Sequence, residues 1–126
     1  MVCELKSVGE AEEHIRKHRL AGIAIANKSK KDVWNYVLEL LGKLEDISKP
    51  TISFAVVHYE TALNMLKPLE AEVARKSVLI KLYFNGECVF EQEGVLGTRI
   101  NDETTLKRGI RETLKLYSVD IKFTVV

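Results

Sequence analysis

"SVLIKLYFNGECVFEQEG", residues 77 to 94, is two strand-like runs joined by Asn85 and Gly86, a pair suited to a tight type I′ hairpin turn. Beyond it, Leu106, Ile110 and Leu114 recur at helical spacing and predict a helix over about 102–116, in which Gly109 is a flaw. The chain closes on "VDIKFTVV", where Val119, Ile121, Phe123 and Val125 alternate with polar residues, which predicts a strand over 119–126 with one buried face. Before the hairpin, "TALNMLKPL" at 61–69 reads as a short helix that ends or kinks at Pro68. "AGIAIAN" at 21–27 and "ISFAVV" at 52–57 are apolar without alternation, as strands are when helices cover both faces of a sheet. Between them Val33, Val37, Leu40, Leu41 and Leu44 form a helical stripe that Trp34 and Leu38 widen. At the start, Ser7 and Glu10 have capping-box spacing ahead of a helix over about 8–19, and residues 2–6 form a short strand.

The chain has 126 residues, the size of one domain, and no internal repeat, low-complexity segment or linker divides it. Net charge is +1, so any attraction to nucleic acid or an anionic membrane must come from a local patch. No stretch approaches the roughly 20 apolar residues of a membrane span, and "MVCELKSVGE" lacks the apolar core of a signal peptide, which makes a cytoplasmic protein the expectation. The preference for Lys and Glu, with Gln92 the single glutamine, gives the composition a thermophile-like cast. Two cysteines, Cys3 and Cys88, make neither a disulfide framework nor a zinc site, which needs about four ligands.

The order strand, helix, strand, helix, strand, helix, hairpin, helix resembles a thioredoxin, and "FNGE" at 84–87 followed by Gly94 is similar to that family's final hairpin and its glycine. The resemblance covers residues 1–116 and implies an α/β three-layer sandwich with a mixed central sheet flanked by helices, here extended by the C-terminal strand 119–126, in a single domain spanning 1–126. It also marks two departures. Where the family carries a CxxC pair at a helix start, this chain has Lys28-Ser29-Lys30-Lys31. The family's cis-proline falls near Val78, within "RKSVLI", and no proline is nearby. Dithiol chemistry of the family's kind is therefore not expected. The family's strand order would also hold Cys3 and Cys88 about 19 Å apart, at about 4.8 Å per strand, beyond the reach of a disulfide.

Other groupings have a functional and a structural reading. Glu10, His14 and His18 share a helical face that could offer metal ligands, yet no fourth ligand is evident and such a face is usually solvated; no metal or cofactor is expected. His58 ends a central strand, on the sheet edge where open α/β folds place ligands, or else begins a turn. Lys28, Ser29, Lys30 and Lys31 at a helix N-terminus suit a phosphate-type anion, or are solvated lysines tolerated at a cost of a few tenths of a kcal/mol each. Trp34, Leu38, Ile121 and Phe123 could lie in a homodimer contact, or enlarge a monomeric core.

The leading expectation is a noncatalytic thioredoxin-like domain that binds a protein or peptide partner, with Lys28–Lys31, His58 and Val78 around the binding surface. A second is a binder of an anion, nucleotide or nucleic acid through the lysine turn. A third is a thiol-transferring enzyme that uses Ser29.

Overall fold

The computed structural model describes residues 2–124. Strands β1 (Cys3–Leu5), β2 (Leu20–Ala26), β4 (Ser53–His58), β5 (Val78–Phe84) and β6 (Glu87–Glu93) form one sheet in the order β1-β4-β2-β5-β6. The β1–β4 and β4–β2 pairs are parallel, while β2–β5 and β5–β6 are antiparallel. Helices α2 (Lys31–Ile47) and α4 (Arg99–Lys115) cover one face. On the other lie α1 (Val8–Lys17) and α3 (Pro68–Lys76). Side chains of β2 alternate between these layers: Leu20, Ala24 and Ala26 face α2 and α4, whereas Ile23 and Ile25 face α1 and α3. All seven residues of β2 are buried, which is why the run reads as continuous rather than alternating hydrophobicity.

The hairpin forms as its sequence predicts. Asn85 (φ 51°) and Gly86 (φ 85°) both occupy the left-handed region that a type I′ turn demands. A bulge between Leu82 and Tyr83 leaves Val89 without a direct partner. Ser7 caps α1 by accepting the Glu10 N–H at 3.1 Å, as the capping-box spacing predicts.

Two segments differ from expectation. Pro68 starts a helix instead of ending one: residues Leu63–Met65 make only a 3₁₀ turn, and Pro68 is the first residue of α3. Proline suits that position because its missing N–H would have no intrahelical partner, and Glu70 accepts the Lys67 N–H at 3.0 Å to complete the start. The expected C-terminal strand is present but shorter: among the described residues it is Lys122–Phe123, β7, paired antiparallel with β3 (Ser48–Lys49) in a separate ribbon, and Val125 and Val126 lie outside the described residues. The alternation still has its packing consequence, since Val119 and Ile121 are buried against α2 and α4, and the Thr124 N–H ties the tail to the Ile47 carbonyl at 2.7 Å.

Gly109, a flaw by helix propensity, has a packing reason. A Cβ there would come within 2.5 Å of the Phe90 ring on β6, so the absence of a side chain lets α4 settle on the sheet. Helix propensity alone predicts that Gly109→Ala stabilises by about 1 kcal/mol. The packing predicts the reverse, a loss of about 1–3 kcal/mol measured by urea unfolding.

Asp102, in the first turns of α4, is buried and accepts three hydrogen bonds: from the Leu96 N–H at 2.7 Å, the Gly97 N–H at 3.0 Å and the Tyr36 hydroxyl. It thereby joins the loop after β6 to α2. Burial, together with donation to this carboxylate, pushes the Tyr36 hydroxyl up to about 12. Because that value lies above the ordinary value of 10.0, the stabilisation is complete below pH 10 and is lost as pH rises toward 12. Tyr36→Phe should cost about 1–3 kcal/mol at pH 7, by leaving Asp102 short of a donor. Melting curves should show the difference from wild type narrowing between pH 10 and 12.

Candidate functional site

The turn Lys28–Lys31 joins the end of β2 to the start of α2. Its conformation is set by its own chain. Asn27 holds it from below, its side-chain oxygen accepting the Ser29 N–H and its carbonyl accepting the Lys30 N–H, both at 3.0 Å. The Lys28 N–H donates at 3.0 Å to Nδ1 of His58, which stands at the end of the neighbouring strand β4, where Tyr59 N–H also bonds the Ala26 carbonyl at 2.8 Å. His58 and Lys28 thus meet, as parallel pairing of β2 and β4 requires.

Two of the lysine side chains, Lys28 and Lys30, are likewise engaged. Lys28 Nζ pairs with Glu4 on β1 at 2.7 Å and lies 6.0 Å from the centre of the Trp34 ring. Lys30 Nζ reaches the Lys76 carbonyl at the C-terminus of α3, at 3.3 Å. That carbonyl belongs to a helix end, where a cation is favoured, so the unfavourable location at one helix N-terminus is offset at another helix's C-terminus.

Val78 does not rim this surface. Its side chain is fully buried and it pairs with Ala26 inside the sheet, because the strand begins one residue after α3 ends and turns Val78 toward α2. Its backbone does contribute, since the Val78 carbonyl accepts the Gly94 N–H at 2.7 Å and so brings the loop after β6 to the same end of the sheet. Three loops therefore converge there: residues 27–31, residues 76–78 and residues 94–97. On the last of these and the adjoining helix, Leu96 and Ile100 are 73% and 75% exposed. The contacts of Glu4 and Lys76 with the turn leave no local signal in the sequence. Asn27 two positions before Ser29 is the one local signal, a side-chain-capped turn.

Of the residues considered for a dimer contact, Trp34 and Ile121 are buried within the chain's own core, while Leu38 and Phe123 are half-buried. Cys3 and Cys88 are free and exposed, on β1 and β6 at opposite edges of the sheet. Burial pushes the Cys88 thiol up, and the neighbouring Glu91 carboxylate adds to the effect, which keeps it protonated and weakly nucleophilic.

No family model and no curated protein matches the chain. Solved structures do. The chain is similar to Plasmodium falciparum thioredoxin, at 17% identity and a TM-score of 0.56, over 88% of this chain and 98% of that one. It is similar to mitochondrial thioredoxin 3 of Saccharomyces cerevisiae at 16% identity and a TM-score of 0.57, over 88% and 94%. A third likeness, at 15% identity and a TM-score of 0.60 over 88% and 94%, is to a chain from work on the thiol-resolving mechanism of yeast mitochondrial 1-Cys peroxiredoxin via glutathione and thioredoxin systems. The chain has a thioredoxin-like fold. At these identities the likeness speaks for the fold alone. Among the described residues, no helix is long and apolar enough to cross a membrane and no cluster of three or more His, Cys, Asp or Glu side chains could hold a metal ion.

Glu10 and His14 are engaged elsewhere, while the His18 ring lies beside that of His14. Glu10 stays at the Ser7 cap, and His14 Nε2 donates to the Ser53 carbonyl at 2.8 Å, with the His18 ring 4.8 Å away. Burial holds His14 below its ordinary value of 6.5, with the His18 ring adding to the lowering. As pH falls below 6.5 the unfolded chain takes up the proton first, so stability declines toward the lower folded-state value. Wild type should melt lower at pH 5 than at pH 7, and His14→Gln, which keeps an N–H for Ser53, should lose less over the same interval.

Proposed function

We propose that this chain is a noncatalytic thioredoxin-like domain that binds a protein or peptide partner at the end of the sheet where residues 27–31, 76–78 and 94–97 converge. One observation carries the reading. The turn that would hold a reactive dithiol has lysines and serine in its place, with the Lys28 and Lys30 ammonium groups bonded within the chain, at the end of the sheet where the loop that carries exposed Leu96 begins. An anion at a helix start draws on cationic side chains as well as on free N–H groups. Lys28 Nζ is already paired with Glu4 and Lys30 Nζ with the Lys76 carbonyl, which favours recognition by apolar contact over phosphate capture. Aliphatic side chains left in water, Leu96 on a loop and Ile100 in the first turn of α4, are better suited to burial by another chain.

The test is a displayed library of random peptides selected on the immobilised protein, with affinities then measured by fluorescence polarisation. Leu96→Asp and Ile100→Asp should each weaken a selected peptide at least tenfold without lowering the melting temperature appreciably, and insulin reduction by the wild type should stay at the uncatalysed rate. Saturable binding of phosphate or glutathione that disappears when Lys28, Lys30 and Lys31 are changed together to Ala would replace this reading with the anion or thiol-transfer one.

A further inference from the structure

The opposite end of the sheet has a different chemistry. There α1 and α2 finish ahead of β2 and β4, and β2 begins with Leu20 paired to Phe84. Helix α4 ends there too, its following Tyr117 ring 5.7 Å from that of Phe84. Since α2 has 17 residues, this end lies about 25 Å from the Lys28–Lys31 turn. Lys17, Arg19, Lys49, Arg111, Lys115 and Lys122 are exposed in the segments that begin or finish there.

Among the described residues none of these six has a carboxylate at ion-pair distance, whereas Arg16, Arg75 and Arg99 all do. Glu112 and Asp120, acidic residues in the same stretches, make no ion pair with them. Two of the unpaired guanidiniums are instead held on rings, Arg19 at 5.2 Å from the centre of Phe84 and Arg111 at 5.7 Å from that of Phe123. Stacking fixes a guanidinium by its face and leaves its N–H edges free, the edges that bind phosphate oxygens in pairs.

The ribbon adds a second feature. Lys49 stands directly opposite Lys122 in the β3–β7 pair. Like charges in that relation repel, and an anion between them would relieve the repulsion. The negative ends of three helices account for part of this arrangement, at about half a charge each, but six cations exceed that and the cross-strand pair lies outside it. Tyr117, 41% exposed, presents a ring on which a base could stack.

We propose that this end of the molecule binds the phosphodiester backbone of single-stranded nucleic acid without reading its sequence, through Arg19, Arg111, Lys49 and Lys122. This surface is independent of the peptide surface proposed above. The probe is a fluorescein-labelled single-stranded RNA of about 20 nucleotides and mixed sequence, followed by anisotropy between 50 and 200 mM KCl. Four phosphate contacts give a slope of log K against log salt of about −3, so affinity should fall about fifty-fold across that range. Arg111→Gln with Lys122→Gln should make the slope shallower by about 1.4. Arg111→Lys should keep the slope, and Lys28, Lys30 and Lys31→Ala should leave binding unchanged. Unchanged circular-dichroism melting would establish that the variants are folded. Absence of binding at 50 mM KCl, loss of binding in the Lys28–Lys31 variant alone, or retention by phosphatidylserine vesicles in place of the RNA would each overturn the proposal.

Discussion

Strand β2 is covered on both faces and flanked on both edges, and the rest of the molecule is arranged to make that burial permissible. Its backbone donors and acceptors are paired with β4 on one side and β5 on the other, so the strand carries no unsatisfied polar group into the core. Its side chains are small where neighbours press hardest. At Gly22 a Cβ would come within 2.2 Å of the Phe54 ring, so the missing side chain is what admits that ring between sheet and helices. A central strand buried in this way needs helices on both faces, and the four helices divide two and two accordingly.

The candidate site follows from the end of that strand. Because β2 and β4 run parallel, the residues leaving them, Lys28 and His58, emerge side by side, and a backbone N–H of one meets the ring of the other. The antiparallel return of β5 brings the end of α3 and the loop after β6 to the same edge. Lysines that seem misplaced at a helix start are thereby given Glu4 and the α3 carbonyl as partners. A charge that is unfavourable for its own helix becomes neutral or better once a second element is beside it.

Topology also explains why the two ends of the sheet differ. Helices α1, α2 and α4 all finish at the end opposite the lysine turn, so their carbonyl ends gather there and favour cations. The short ribbon β3–β7 adds Lys49 and Lys122 to that surface, and its inward face buries Ser48. A chain with a net charge of only +1 can therefore present a basic end without being a basic protein.

Features that depend on neighbours a few residues apart are legible in the amino-acid order: the Asn85-Gly86 turn, the Ser7 cap, the buried strands and the helical stripes, and from their succession a thioredoxin-like sandwich. The absence of cysteine from the Lys28–Lys31 turn was equally plain. Pro68 is ambiguous in the sequence because proline both ends helices and starts them; in the structure it opens α3, with the Glu70 side chain reaching back to the Lys67 N–H. The strand expected over 119–126 was legible as a buried stripe but not as a two-residue ladder, since its partner Ser48–Lys49 is too short to leave a pattern. The meeting of distant groups is set by the packing of the elements: Lys28 with Glu4 and His58, Lys30 with Lys76, Asp102 with Tyr36. Periodicity records which face of an element is buried, whereas the partner of a given polar group depends on the crossing of elements far apart in the chain.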